Sequence, residues 1–364
     1  IDFGMHPIVH GYIKTLDEKY TRYPFRLGHC KVCDFIQLMD SISPDVLYQN
    51  YFTVSGWKNQ PHIPRLINVI QSISGLDLKH SILDIGCNDG SFLAAMRDAG
   101  YMNIYGIEPT KDASEQALAK DLNIHCGFFG ENIALDVYGK NRFDIITTRQ
   151  VLEHINSLDD FMKGINSILK NDGCLVIEIP DTDWAFEYFD YALWEEHVNY
   201  FTLNTLKNLM RKYSFEIIHH ETTLFSGKAL TIFCEKKKTS KTTTNFDKLD
   251  EEKILKYKDT WPNYKDKLNQ FLRERNSPVA MYGCGARSSN FINFTGISSI
   301  VDCFIDDQPE KQNLIIPGCE LKINSWDNEY FKNHLILLGV NTENEHKVIN
   351  KRNLNKEKSY SVLP

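Results

Sequence analysis

The chain has 364 residues, room for two domains and a small third, and its 42% hydrophobic and 24% charged content is that of an ordinary globular protein. A formal net charge of -7 gives little long-range attraction for a polyphosphate backbone, so nucleic acid is not an expected partner. No apolar run approaches the roughly 20 residues of a bilayer span, and the first ten residues lack a secretory pattern; a cytoplasmic protein without membrane contact is expected. Nine cysteines without regular spacing fit reduced thiols rather than a disulfide framework.

Residues 1–75 form an N-terminal region: 1–40 is loop-like and carries Cys and His, and 41–75 carries aromatics and two helical patterns. Over 76–236, apolar runs at 82–85, 104–107, 143–147 and 174–179 alternate with amphipathic segments. Two further runs, 215–219 and 229–234, follow without a helix between them. This order predicts an α/β fold, a mainly parallel Rossmann-like sheet closed by an antiparallel hairpin, as methyltransferase sheets are. The polar stretch 236–245, KKKTSKTTTN, reads as a linker. A charged helix over 247–275 then leads into a second α/β unit from Val279, so 247–364 is expected to be a C-terminal domain.

The most specific segment is Ile82-Leu83-Asp84-Ile85-Gly86-Cys87-Asn88-Asp89-Gly90, a strand running into a Gly-rich turn and a helix. Gly86 and Gly90 let backbone approach a ligand at a helix N-terminus. Asp84 and Asp89 would repel a phosphate but suit the sulfonium and amino group of S-adenosylmethionine, and Asn88 lies between them. Glu108 closes the next strand, just before Pro109, where a carboxylate can accept both ribose hydroxyls. Phe128 and Phe129 either flank an adenine ring or belong to the core. Gln150 and Val151 end the fourth strand, where Gln150 can bond the methionine moiety. His154 reads as a helix-start residue bonded to backbone. The turn is not G-x-G-x-x-G, which disfavours a nicotinamide enzyme.

Further on, Phe189-Asp190-Tyr191-Ala192-Leu193-Trp194-Glu195-Glu196-His197-Val198-Asn199-Tyr200-Phe201 wraps an acid and a histidine in aromatics. A histidine can take a proton near neutral pH while a carboxylate orients it or binds a hydroxyl. The pattern Phe-Asp-x-x-x-x-Glu-His-x-x-Tyr-Phe resembles that of the C-methyltransferases of deoxysugar biosynthesis, which methylate a keto-sugar carried on a nucleotide. Nearly the whole chain shares the resemblance. Cys30-Lys31-Val32-Cys33 is similar to the second Cys pair of that family's zinc-binding region, and the first pair is absent here. Tyr51 to Gly56 resembles its Tyr/Ser segment, and Met281-Tyr282-Gly283-Cys284-Gly285-Ala286-Arg287 its C-terminal Gly-rich turn. The chain departs from the family at Trp194-Glu195, at Phe225-Ser226-Gly227-Lys228 and at Thr53.

The resemblance implies a zinc held by Cys30 and Cys33, its other ligands coming from an upstream Cys pair or from His6, His10 and His29; a loop without zinc is the alternative. It implies a small-molecule substrate, a nucleotide-linked 4-keto sugar, methylated through an enolate. His197 would be the base, with Glu196 as its partner or as acceptor for a substrate hydroxyl, and Tyr51 and Ser55 would contact the sugar. Arg287 would meet a phosphate, or its turn would serve packing alone. O-methylation of a hydroxyl would use the same cofactor site and the same His197.

Overall fold

The structure, a computed structural model, describes residues 1–47, 60–190, 193–225, 227–237, 251–355 and 357–362. The chain starts with β1 (Asp2–Pro7), β2 (Arg22–His29) and β3 (Ile36–Leu38), then α1 (Pro44–Leu47) and α2 (Ile63–Ser74). The alternating section follows: β4 (Ile82–Ile85), α3 (Ser91–Asp98), β5 (Ile104–Glu108), α4 (Lys111–Leu118), β6 (Asn123–Cys126), α5 (Glu131–Tyr138), β7 (Phe143–Arg149), α6 (Leu158–Ile168) and β8 (Leu169–Pro180). After α7 (Thr182–Glu187), β9 (Asn199–Tyr200) and α8 (Leu203–Lys212) comes the pair β10 (Phe215–Leu224) and β11 (Lys228–Lys236). The last section holds α9 (Glu251–Arg273), β12 (Val279–Tyr282), α10 (Ala286–Thr295), β13 (Cys303–Ile305), β14 (Ile323–Asn324), α11 (Asn328–Phe331), β15 (Leu335–Leu338), α12 (Thr342–Arg352) and β16 (Ser359–Ser361).

The central sheet runs β10-β11-β8-β7-β4-β5-β6. Its strands β4 to β8 are parallel, and β11 is antiparallel to both β8 and β10, which is the expected hairpin ending. Every residue of β4 is buried, because helices cover both faces of a parallel sheet and no polar alternation is needed. The helix α6 turns Phe161, Met162, Ile165 and Ile168 onto this sheet. Strand β6, Asn123–Cys126, has no apolar run to announce it, since it is a half-exposed edge strand. The chain leaves β4 for β5 on one side and reaches β7 on the other. Ligands of open α/β sheets bind at the strand C-termini beside such a reversal.

The C-terminal unit is a second, all-parallel sheet ordered β14-β13-β12-β15-β16. The N-terminal region forms a small sheet, β1-β2-β3-β9, whose last strand comes from residues 199–200. That pairing was not visible in the sequence. The N-terminal sheet shares a core with α9 and the C-terminal unit: Phe25, Tyr257, Trp261, Phe291 and Phe294 are all buried in it. Phe294 lies at its centre, stacked on Phe3 at 4.9 Å and against Phe25 at 5.5 Å and Trp261 at 6.2 Å.

Truncating Phe294 removes the ring that three elements share. Phe294→Ala is expected to destabilise the protein by about 3–5 kcal/mol, the usual cost of a core Phe→Ala change. Urea denaturation checks it. The intrinsic fluorescence of Trp261 is expected to change at lower urea than in the unaltered protein.

Candidate active site

Four strand ends build the site. At the end of β4, Asp84 is buried and accepts a bond from Thr147 Oγ1 at 2.6 Å, while its Oδ2 has no partner. Burial pushes its carboxyl up to about 6, against the pull of Arg149 and Thr147. An unpaired carboxylate oxygen at a strand end is a place for a cation or an amino group. Gly86 has φ 72°, and a β-carbon there would overlap Val151, so the turns after β4 and β7 touch across the reversal point. Val151 is thus a wall of the cofactor turn.

At the end of β5, Glu108 is buried, with Oε2 accepting from the Asn88 N–H and Oε1 from the Thr110 N–H, both at 2.9 Å. A carboxylate oxygen has two lone pairs, so each keeps one for a further donor. Asp89 is placed differently from the expectation. It accepts from the Ser91 N–H at 3.1 Å and from Ser91 Oγ and Lys120 Nζ at 2.9 Å each. Although burial opposes it, Lys120 and Ser91 hold this carboxyl below its usual range, and its charge is already matched. Asp84, not Asp89, is left to face a cation. Pro109 is exposed beyond Glu108. Of the two phenylalanines, Phe129 packs on Phe161 at 5.2 Å as core, whereas Phe128 is 69% exposed and can flank a ring.

At the end of β7, Gln150 takes φ 55° and its N–H donates to Glu178 O at 2.7 Å. Beside it is a charged group that sequence reading passed over. Arg149 lies over the Phe92 ring at 4.2 Å and donates to Gln60 at 2.9 Å. Glu178 on β8 receives His62 Nε2 at 3.2 Å. Despite complete burial, the bond from His62 and the charge of Arg149 keep Glu178 below the usual carboxylate range. The available signal was the placement of Arg149 and Glu178 at the ends of otherwise apolar strands.

The residues 193–200 carry His197 and are latched to the turn after β7. The Val198 N–H donates to Glu153 O at 2.9 Å, Asn199 Nδ2 to Ile155 O at 2.7 Å, and His154 Nδ1 bonds Glu196 O at 2.9 Å. His154 is therefore the backbone-bonded residue expected, ending a 3-10 turn over Leu152–His154. The N-terminal sheet holds the same segment through Leu38 N–H to Val198 O at 3.0 Å and Val9 N–H to Glu195 Oε1 at 2.8 Å. The C-terminal unit reaches it through Asn290, whose amide donates to Leu193 O.

His197 is buried among Trp194 at 4.2 Å, His154 at 4.9 Å and Tyr200 at 6.4 Å between ring centres. Burial, with His154 and Arg287 nearby, holds it well below the ordinary histidine range, so it is unprotonated at neutral pH. It lines a cleft with Glu153, Asp181, Asp190, Lys228 and Arg287. Glu196 does not line it. Its Oε1 lies 3.6 Å from His10 Nε2. Arg287 comes from the C-terminal Gly-rich turn but faces this cleft, donating to Asp190 at 2.8 Å. The turn's own polar groups are already used: the Cys284 N–H donates to Asp306 at 2.8 Å, and Tyr12 of the N-terminal region donates to Cys284 O. Tyr51 and Ser55 lie outside the described residues.

Cys30 and Cys33 sit in the loop between β2 and β3, where the Asp34 N–H bonds Cys30 O at 2.9 Å. The expected histidines point elsewhere. His29 bonds Asp34 at 2.6 Å, His6 bonds Phe3 O at 2.7 Å, and His10 is at Glu196. Among the described residues the pair supplies two of the four ligands that a structural zinc would need. All nine cysteines are free thiols, as the composition implied.

Comparison with known proteins matches three family descriptions in order. "Putative zinc binding domain" covers residues 1–48, "Methyltransferase domain" 58–220 and "C-methyltransferase C-terminal domain" 233–347. The C-methyltransferase NovU of Streptomyces niveus is 25% identical over 243 residues, 64% of this chain and 57% of that protein. The ubiquinone biosynthesis O-methyltransferase of Haemophilus ducreyi is 30% identical over 121 residues, 31% of this chain and 51% of its own length. The chain thus spans little more than half the length of these relatives. Among solved structures, the PH0226 protein of Pyrococcus horikoshii OT3 aligns at 16% identity over 52% of this chain and 98% of its own, with a TM-score of 0.42. No described helix is long and apolar enough to cross a membrane. The zinc-binding-type region, the methyltransferase domain and the C-terminal domain are all matched and in order, which gives the chain the three-part architecture of C-methyltransferases.

Proposed function

We propose that this protein transfers the methyl group of S-adenosylmethionine to a carbon next to a ketone, on a nucleotide-linked 4-keto sugar. The observation that carries the reading is His197: a buried, unprotonated imidazole in a cleft at the same sheet edge as the cofactor turn. S-adenosylmethionine supplies an electrophilic methyl group. Asp84 suits its amino group, Glu108 its ribose, Gly86 and Val151 its backbone-close portion, and Phe128 its adenine.

The rest of the chemistry belongs to the chain. His197 removes the proton from the carbon beside the carbonyl and the electron pair passes to the carbonyl oxygen; the enolate carbon would then take the methyl group in line as its bond to sulfur breaks, leaving S-adenosylhomocysteine and re-forming the carbonyl. Trp194 and Tyr200 exclude water from the imidazole. Arg287 has two N–H-bearing nitrogens, Nε and Nη1, without partners in a buried setting, and it offers them to a substrate phosphate. Glu196 stays a residue that shapes the His197 segment.

O-methylation is the second reading, favoured by the 30% identity to the ubiquinone O-methyltransferase over 121 residues. C-methylation is preferred because the third matched part, residues 233–347, carries the C-methyltransferase description and sends Arg287 and Asn290 to the site.

Glu108→Ala is expected to weaken S-adenosylhomocysteine binding by about 1.5–3 kcal/mol, the range for hydrogen bonds to a charged group. Isothermal titration calorimetry measures it, and unchanged affinity would place the ribose elsewhere. His197→Ala is expected to lose about 10²–10⁴-fold in turnover, the contribution of a general base, while binding S-adenosylhomocysteine normally. The assay uses labelled S-adenosylmethionine and a panel of nucleotide 4-keto sugars. Without a methyl donor, wild-type protein should exchange the proton beside the ketone with deuterated water, read by mass spectrometry. Because burial holds His197 well below its ordinary value, the acid limb of its pH–rate profile should lie below pH 6.5. Turnover without exchange would favour the O-methyl reading.

A further inference from the structure

The cleft contains a second titratable group that the reaction above leaves without a task. Glu153 ends the turn after β7, is 1% exposed and lines the cleft. Neither of its carboxyl oxygens has a hydrogen-bond partner. His154 Nε2 is 3.9 Å from its Oε1, beyond bonding reach, and ligand atoms of Glu153, His154 and His197 all lie within 4.8 Å of one another. A buried carboxylate costs several kcal/mol unless it is paired. With no donor supplied by its neighbours, this carboxyl is stable only as the neutral acid. A neutral acid has one O–H to give and a carbonyl oxygen that still accepts.

We propose that Glu153 is a catalytic hydrogen-bond donor to the substrate carbonyl, holding the oxygen on which negative charge develops while His197 takes the neighbouring proton. The inference rests on the enolate reading. Its logic is the separation of two roles by environment: burial pushes the Glu153 carboxyl up to about 8 against the pull of its own peptide N–H, with Glu178 adding to the rise, and burial pushes His197 down. One group therefore keeps its proton and the other lacks one at the same pH. The proton of Glu153 is shared with the enolate oxygen during deprotonation and returns as the carbonyl re-forms on methylation, so it is not consumed. A donor aimed at developing oxyanion charge in a water-excluded site is among the largest contributions an enzyme makes. Facing Glu153 are Glu178 from β8, His154 from its own turn and His197 from the 193–200 segment; Asp181, Asp190, Lys228 and Arg287 line the rest of the cleft.

The test compares Glu153→Gln, which keeps an N–H donor but cannot titrate, with Glu153→Ala, which keeps neither. Removing one oxyanion donor costs about 10²–10³ in rate, so Ala should fall by that factor with S-adenosylhomocysteine affinity intact. Gln should recover tenfold or more over Ala, on the order of one hydrogen bond. In wild type the donor form disappears as pH rises through about 8, so turnover should fall on the alkaline side, and that limb should be absent in Gln. A Gln variant as inactive as Ala, or turnover abolished by a chelator and restored by a divalent metal, would show that Glu153 works as a carboxylate and overturn the proposal. Isotope-edited infrared spectroscopy needs no substrate. It should show a protonated carboxyl band at neutral pH that Glu153→Gln removes, and its absence in wild type overturns the assignment even if no variant is active. A band present in a wild-type protein that exchanges no ketone proton overturns instead the enolate reading, and with it the oxygen Glu153 serves.

Discussion

Everything in the site depends on how the segment 193–200 is seated. It has almost no regular structure of its own, only the two residues of β9, yet it carries the buried imidazole. The segment is fixed from three directions, through backbone and side chains: Val9 and Leu38 from the N-terminal region, Glu153 and Ile155 from the turn after β7, and Asn290 from the C-terminal unit. A buried loop must find partners for its peptide groups, and here those partners come from other domains. The three-part architecture is thus more than a string of modules. The methyltransferase sheet alone would present a cofactor turn with an unsupported reactive segment beside it.

The second constraint is electrostatic. Asp84, Glu108, Glu153 and Glu178 stand at the ends of neighbouring strands or the turns that follow them, and four carboxylates in so small a buried region cannot all ionise at equal cost. The chain resolves this differently at each. Glu178 is matched by His62 and Arg149, and Glu108 by two peptide N–H groups. Asp84 has one hydroxyl and an open oxygen. Glu153 has nothing. Such graded satisfaction leaves groups of the same chemical type suited to different work: an acceptor for ribose, an anion for an amino group and a neutral acid.

The sheet was legible because parallel strands covered on both faces are continuous apolar runs, as at 82–85 and 143–147, and Gly-rich turns mark where they end. The edge strand Asn123–Cys126 was not, because a half-exposed edge carries no such run. Asp84, Gly86 and Glu108 were readable from spacing along one βαβ unit. Roles set by distant partners were not. Asp89 looked like a cofactor acid, but Lys120 lies across the next helix and takes its charge. Glu196 is adjacent to His197 in sequence, yet the chain turns there, with the His197 N–H bonded to Trp194 O, and Glu196 lies beside His10. Glu153 was overlooked because a carboxylate one turn into a polar segment looks like a solvated face until its burial is known. Arg287 read as belonging to its own glycine turn, since nothing in the sequence shows that the turn lies against Asp190.

The Asp190–Arg287 pair ties this architecture to inheritance. Both residues are buried, and each belongs to a different domain. Removing one member of a buried pair strands a charge at a cost of about 3–5 kcal/mol. A chimera that took its C-terminal domain from a relative without the guanidinium would carry that penalty into the methyltransferase half, however well the new domain folded by itself. Recombination at the polar linker is therefore restricted by chemistry far from the crossover point, and the two halves can be exchanged only as a matched set.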